Sequence, residues 1–304
     1  MKRFYLANVF FVLPIFVFMG GAEFAVRQIP NEYKYKNDWM ERHAEKVETL
    51  VLGNSHTATA INPVYMKGNV FNLAIAGQEY VYDHFLFFKW ADRYKNLKML
   101  ILPVSYFSFY RDAIGGKFDI IQELNYCIYM DSPFHRFSLP YHLESLYYSP
   151  LSGKMKQWCN GDYINWNSSG WVEWPLSQKS PVWNAEHVNK NLARSYLASS
   201  YEKDLENYRY VSDIADYCKH HGVRLVLLST PQTKEYNSCL SKEQIEHTGM
   251  LVRKLQRQCD VEYYDYREDT RFVDDDFYDQ SHLSEVGAEK FTRLLMTDMQ
   301  KKKR

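Results

Sequence analysis

From residue 49 onward, short apolar runs alternate with longer segments in which apolar positions recur at helical spacing. The short runs predict buried strands, at 49–53, 69–74, 98–103, 223–229 and 261–265. The longer segments predict amphipathic helices, at 79–95, 200–221, 241–258 and 284–299. Strands that alternate with helices imply a parallel sheet covered on both faces. The pattern therefore predicts a three-layer α/β/α domain of the flavodoxin-like kind.

One stretch interrupts this alternation, between the third and the fourth predicted strand. At about 106–198 it is far longer than an ordinary connection in an α/β domain. It holds five of the seven tryptophans, namely Trp158, Trp166, Trp171, Trp174 and Trp183. An insertion at the carboxyl end of the sheet would overhang that edge, where its rings suit stacking on sugars or resting at a membrane interface. The alternative is that these rings form a small core of the insertion itself.

The N-terminal segment is apolar from Phe4 to Ala22 and follows Lys2 and Arg3. Its length is close to the roughly 20 residues that span a bilayer, and the preceding basic residues favour a cytoplasmic N-terminus. A cleaved signal peptide is one alternative, since small residues stand at positions 20–22. A buried helical hairpin in a cytosolic protein is the other. We favour an uncleaved, single-pass anchor that leaves the remaining chain on the extracytoplasmic side of the cell membrane.

The predicted organisation has three parts. Residues 1–26 are an N-terminal membrane anchor or signal segment, and the polar residues 27–48 are a linker or juxtamembrane helix. Residues 49–304 form one domain that includes the insertion.

Charge and cysteine content exclude several classes of function. Lysine plus arginine equals aspartate plus glutamate, 37 each, so no overall field recruits nucleic acid. The five cysteines show no C-x-x-C spacing, which argues against a zinc or redox site, and we expect neither metal nor cofactor. A disulfide such as Cys239–Cys259 stays open, since an oxidising compartment would permit it.

Candidate chemistry is concentrated in two short clusters at opposite ends of the predicted domain. The first is Gly53-Asn54-Ser55-His56, directly after a predicted strand, and the second is Asp279-Gln280-Ser281-His282, just before the last helix. Together they supply a serine, a histidine and an aspartate, the groups that activate a hydroxyl nucleophile. Open α/β sheets bind their ligands at the carboxyl ends of the strands, where Ser55 is predicted to lie.

These clusters resemble the first and last motifs of the SGNH (GDSL-like) hydrolases. In that family a G-D-S motif carries the nucleophile in a strand-to-helix turn, and a D-x-x-H motif precedes the final helix. The resemblance implies that Ser55 is the nucleophile, Asp279 the orienting acid and His282 the base. Asn54 stands where the family motif has aspartate, and it keeps a turn-forming side chain. We favour a structural hydrogen bond for His56 over a direct role.

The two middle motifs of the family match less closely. Gly77 corresponds to the glycine whose N–H helps to hold the oxyanion, although it also fits a simple turn. The third motif, G-x-N-D, has no asparagine here, and Ser105 falls near that position as a substitute hydroxyl donor. The resemblance thus implies an oxyanion hole formed by Ser55, Gly77 and Ser105. Loss of one donor typically lowers the rate by about 10²–10³, so a slow or substrate-restricted enzyme fits.

The order of the motifs and the apolar N-terminus narrow the resemblance to particular groups of SGNH proteins. The chain is similar in outline to membrane-anchored D-alanyl-transfer proteins of teichoic acid modification and to SGNH proteins that O-acetylate exopolysaccharides. This implies a serine acyltransferase or esterase that acts on O-acyl esters, acetyl esters in particular, of cell-surface carbohydrate. A membrane-bound acyl-donor partner would suit a transferase. The opposing hypothesis is a non-catalytic SGNH fold that binds glycan or assembles with partners in a membrane complex.

Overall fold

Five parallel strands form one sheet in the order β2-β1-β3-β4-β5. Their bounds are β1 Thr49–Val51, β2 Val70–Asn72, β3 Met99–Pro103, β4 Arg224–Ser229 and β5 Val261–Asp265. The computed structural model describes residues 2–111, 120–161, 165–179 and 202–301. The remainder of the predicted insertion, including Trp183, lies outside the described residues.

The helices that the structure describes flank these strands in the chain. Their bounds are α1 Lys2–Arg27, α2 Glu32–His43, α3 Ser55–Ala60, α4 Tyr80–Lys89, α5 Ile120–Met130, α6 Tyr148–Asn160, α7 Glu202–His221, α8 Lys234–Ser238, α9 Lys242–Gln258 and α10 Glu285–Lys301.

The core lies on both faces of the sheet because successive strand residues point to opposite sides. On one face, Val51 and Ile101 form a cluster with Phe291 and Leu295 of α10, and α3 packs beside α10. The helices α4 and α7 pack together, with the rings of Phe87 and Tyr217 5.1 Å apart. Helices thus cover both faces, which is why the buried positions 100–102 of β3 and 225–228 of β4 are all apolar.

The sheet confirms the fold class predicted from the sequence. The order 2-1-3-4-5 is that of flavodoxin-like folds, whose ligands bind beyond the carboxyl ends of the strands. Each predicted strand and helix of the α/β pattern is present. The largest differences in bounds are in α4, which ends at Lys89 instead of 95, and in β1 and β2, which are shorter at their carboxyl ends.

The chain divides into two compact units. A helical unit comprises Met1–Asp38 and Ile114–Ile164, and a sheet unit comprises Trp39–Ala113 and Asn165–Arg304. Within the helical unit, the carboxylate of Glu23 on α1 accepts hydrogen bonds from the backbone N–H groups of Glu144 and Ser145, at 3.2 and 2.9 Å. Arg27 donates to the carbonyl of His142 at 2.6 Å, so part of the insertion is fastened to the end of α1.

Among the described residues, α1 alone is long and apolar enough to cross a membrane, over Phe10–Arg27. Its large apolar side chains are exposed, Phe10, Phe16 and Phe18 among them. By length and composition the helix suits a membrane span or a signal anchor.

All five cysteines are free thiols. The Cys239–Cys259 disulfide left open by the sequence is therefore not present. The thiol of the buried Cys259 instead donates to the Asp216 carboxylate at 3.2 Å.

Candidate active site

Ser55 is held at the carboxyl edge of the sheet by a tight turn. β1 ends at Val51, and Ser55 is already the first residue of α3. Gly53 makes the turn possible because its φ is +111°, a conformation that other residues rarely adopt. Asn54 caps α3, since its side-chain oxygen accepts the N–H of His56 at 3.1 Å.

The second cluster forms a loop between β5 and α10. Oδ1 of Asp279 accepts the backbone N–H groups of Ser281 and His282, at 2.9 and 3.0 Å. Phe277 and Leu283 pair across the base of the loop as an antiparallel bridge. These bonds fix the carboxylate and the imidazole relative to each other.

The structure brings the three predicted side chains into one chain of hydrogen bonds. Nδ1 of His282 lies 2.9 Å from both carboxylate oxygens of Asp279, and Nε2 lies 2.8 Å from Oγ of Ser55. A carboxylate can only accept, so Nδ1 carries the hydrogen and Nε2 is free to accept the hydroxyl proton of Ser55. This is the arrangement that a nucleophile, its base and an orienting acid require.

The Asp279 carboxyl is adapted to remain ionised. Burial by itself raises its pKa, but the charge of His282 and hydrogen bonds from His282 and Ser281 outweigh that effect and hold the pKa below its usual value. An ionised Asp279 would stabilise an imidazolium if His282 took a proton.

Behind Ser55, three side chains form a buried network. Nδ2 of Asn54 donates to Oγ of Ser105 at 3.1 Å, and Nδ1 of His56 lies 2.9 Å from the same oxygen. Burial, together with the charge of His282, lowers the pKa of His56 to about 3. His56 is thus a neutral, hydrogen-bonded ring, and the role of Ser105 as an oxyanion donor stays a prediction.

Gly77 lies in a turn that is tied to the Ser55 loop. It has a φ of +77°, and the N–H of Ile75, two residues earlier, donates to the carbonyl of Gly53 at 2.9 Å. The simple turn proposed as an alternative is thus present, while an oxyanion role for the Gly77 N–H stays a prediction.

Part of the aromatic insertion lies at this site. The ring of Trp174 contacts the ring of His282 edge-on, with centroids 4.6 Å apart, and lies 5.1 Å from the ring of Tyr278. Trp171 is buried instead, and its indole N–H donates to the carbonyl of Thr59 at 2.6 Å. Trp171 thus packs on the helix that follows Ser55 and not in a core of the insertion itself, whereas Trp174 borders the site. The stacking role of these rings stays a prediction.

Asp83 is a buried group that sequence reasoning missed. It accepts Nε2 of Gln78 at 2.6 Å and a backbone hydrogen bond from Gly53, directly under the Ser55 loop. Burial raises its pKa to about 7, although both hydrogen bonds act in the opposite direction. The position of Asp83 in an amphipathic helix did not indicate that it is buried, because a carboxylate in the first turn of a helix is usually solvated.

Asp83→Asn is expected to change how stability depends on pH. The pKa is about 7 in the folded protein against 3.8 for the ordinary group, so between about pH 4 and 7 the folded state retains a proton that the unfolded chain has lost. Stability therefore falls with rising pH through this window in the parent, and this contribution disappears in the variant. Urea unfolding at pH 4.5, 5.5 and 7.5 measures it, with the surface variant Asp260→Asn as control. A free-energy difference between parent and Asp83→Asn that is constant with pH contradicts the assignment.

Comparison with known proteins gives only distant similarity. No protein-family model and no curated protein sequence matches this chain. A structure of a candidate platelet activating factor from Streptococcus pneumonia has 12% identity and a TM-score of 0.43, covering 96% of this chain and 99% of its own. A candidate acylhydrolase of Bacteroides fragilis has 10% identity and a TM-score of 0.42, covering 88% of this chain and 96% of its own.

Proposed function

We propose that this protein is a serine esterase or O-acyltransferase of the SGNH type that acts on O-acyl esters of cell-surface carbohydrate. One observation carries the proposal: the unbroken hydrogen-bond chain from Asp279 through His282 to Ser55. A fold that only binds glycan has no chemical need for these three groups in this order. The residues that the structure describes offer no comparable observation in favour of a binding or assembly module.

The proposed reaction proceeds through an acyl-enzyme. Oγ of Ser55 attacks the ester carbonyl carbon while its proton passes to Nε2 of His282, and the carbonyl electron pair moves onto oxygen. On collapse, the bond to the alcohol oxygen breaks and His282 returns the proton to that oxygen. The acyl group on Ser55 then passes to water or to another hydroxyl, which His282 deprotonates in turn. Water as acceptor makes the enzyme an esterase, and a sugar hydroxyl makes it a transferase.

The substrate class and location rest on two further features. The ring of Trp174 lies beside His282 and near the ring of Tyr278, and such aromatic faces suit the apolar faces of sugar rings. The exposed apolar surface of α1 suits a single-pass anchor that holds the chain on the extracytoplasmic side of the membrane. A membrane-bound acyl donor would then lie within reach of an anchored transferase.

Labelling of the full chain in detergent with a fluorophosphonate probe tests the proposed chemistry. One equivalent is expected to react with the parent and none with Ser55→Ala, while Ser238→Ala, which removes an exposed serine outside the hydrogen-bond chain, labels like the parent. Absence of labelling in folded parent protein overturns the enzyme proposal and directs attention to glycan binding. Release of acid from 4-nitrophenyl acetate, with and without sugar acceptors, then separates hydrolysis from transfer.

A further inference from the structure

His56 adjoins the nucleophile but takes no part in the Asp279–His282–Ser55 chain. Its side chain is buried, with 4% of the residue exposed. Its ring lies edge-on to that of His282, with centroids 5.0 Å apart. It is thus within the site, next to both groups that react.

The hydrogen bonds around Ser105 are compatible with a His56 ring that carries its hydrogen on Nε2. Oγ of Ser105 accepts from Nδ2 of Asn54, and its own hydrogen can be donated to Nδ1 of His56 at 2.9 Å or to Oδ1 of Asn54 at 3.4 Å. Oδ1 of Asn54 already accepts the backbone N–H of His56. When Ser105 donates to Nδ1, the hydrogen of the neutral ring lies on Nε2.

In this tautomer the Nε2–H group donates to no group within the part of the chain that the structure describes. Nε2 is not among the described side-chain atoms that are enclosed without a partner, so an acceptor can reach it from outside the protein. An acceptor that arrives with the substrate can therefore pair with this donor.

We propose that Nε2–H of His56 donates a hydrogen bond to the oxyanion formed when Ser55 attacks the ester carbonyl. The inference rests on the proposed function, and it assigns to His56 the donor place that the third family motif fills with asparagine. Ser105 and Asn54 are positioning residues, since they fix the tautomer and orientation of the ring. His56 transfers no proton at any step: it stabilises the negative charge as the carbonyl electron pair moves onto oxygen.

A neutral His56 ring is suited to donating this hydrogen bond. Burial and the charge of His282 keep the pKa of His56 at about 3, so the donor persists unchanged over the range in which His282 acts as a base. Because the negative charge develops only in the transition state, loss of this donor is expected to lower kcat more than it raises KM.

A matched pair of variants tests the proposal with 4-nitrophenyl acetate. The amide nitrogen of glutamine reaches about as far as Nε2 of histidine, whereas that of asparagine reaches only about as far as Nδ1. His56→Asn is expected to lower kcat by about 10²–10³ with little change in KM, and His56→Gln to recover at least about tenfold of that loss. Inhibition by an alkyl trifluoromethyl ketone, which forms a tetrahedral oxyanion on serine, should weaken in parallel with kcat.

The outcomes separate this inference from the proposed function. No labelling and no turnover in the parent overturn the proposed function. If the parent is active and His56→Asn is equally active, the role of His56 is overturned and the triad is unaffected. Equal loss of activity in the asparagine and glutamine variants has the same consequence. His56→Met replaces the asparagine variant if that one does not fold. Ser105→Ala should lower kcat in the parent but not further in His56→Asn, because it acts through the ring.

Discussion

His282→Gln is expected to lower turnover of an aryl acetate by about 10⁴–10⁶-fold, the loss typical of removing the base of such a triad. Glutamine has roughly the reach of the imidazole, but its amide cannot take the proton from Oγ of Ser55, 2.8 Å away in the parent. The hydroxyl then remains a weak nucleophile, so labelling by the fluorophosphonate probe should fall with turnover. The thermal unfolding midpoint should stay close to that of the parent, since His282 is partly exposed and outside the sheet.

The matched control is His220→Gln, which alters an exposed histidine on α7 whose ring bonds the carbonyl of Asp216. Initial rates under saturating substrate, with circular dichroism to establish folding, measure both variants. Retention of more than a tenth of parental turnover in His282→Gln would show that the histidine is not the base.

Gly53→Ala is expected to destabilise the sheet unit and to abolish the reactivity of Ser55. A Cβ atom at this position would lie 2.1 Å from Cγ and 2.2 Å from Cδ of Pro103, and 2.8 Å from the Thr57 hydroxyl oxygen. The ring of Pro103 belongs to the central strand β3 and has little freedom to withdraw. The turn must shift, and Ser55 with it, at a cost on the order of 2–4 kcal/mol in the free energy of unfolding.

Gly222→Ala separates backbone strain from this collision. Gly222 also has a positive φ, +66°, but a Cβ there has no neighbour within 4 Å. Only the conformational cost of about 1 kcal/mol is expected for it, with normal labelling of Ser55. Urea unfolding of both variants measures the contrast, and equal stability of the two would rule out close packing of Pro103 on the Ser55 turn.

The strands of the sheet could be predicted from the sequence because the patterns that indicate them are local. Buried parallel strands are continuous apolar runs, and each lies between amphipathic helices whose periodicity sets their approximate ends. The bounds of α4 were less certain, because aromatic residues continue the apolar pattern past Lys89 where the helix ends. The fold of the helical unit could not be predicted, since its contacts join Glu23 of α1 to residues more than a hundred positions away.

The candidate site likewise contains residues that local motifs predict and residues that no local motif predicts. Ser55, Asp279 and His282 stand in two short motifs, and their assembly follows once the strands are ordered. The partners of Ser105 could not be foreseen, because its bonds to Asn54 and His56 join the segment after β3 to the turn and the helix that follow β1. Burial of Asp83 depends likewise on the position of Gly53, which no local pattern encodes.

The separation of β3 from β4 along the chain also determines how long β3 lacks its neighbouring strand during synthesis. The two strands pair from Met99 with Arg224 to Pro103 with Leu228, so neighbours in the sheet are 125 positions apart in the chain. At roughly 5–20 residues per second, the ribosome finishes β4 about 6–25 s after β3. During that interval the apolar edge of β3 has no strand to pair with, and unpaired edges of this kind recruit other chains. We therefore expect the nascent protein to depend on a chaperone or on rapid local collapse over this edge, for a time that the length of the insertion determines.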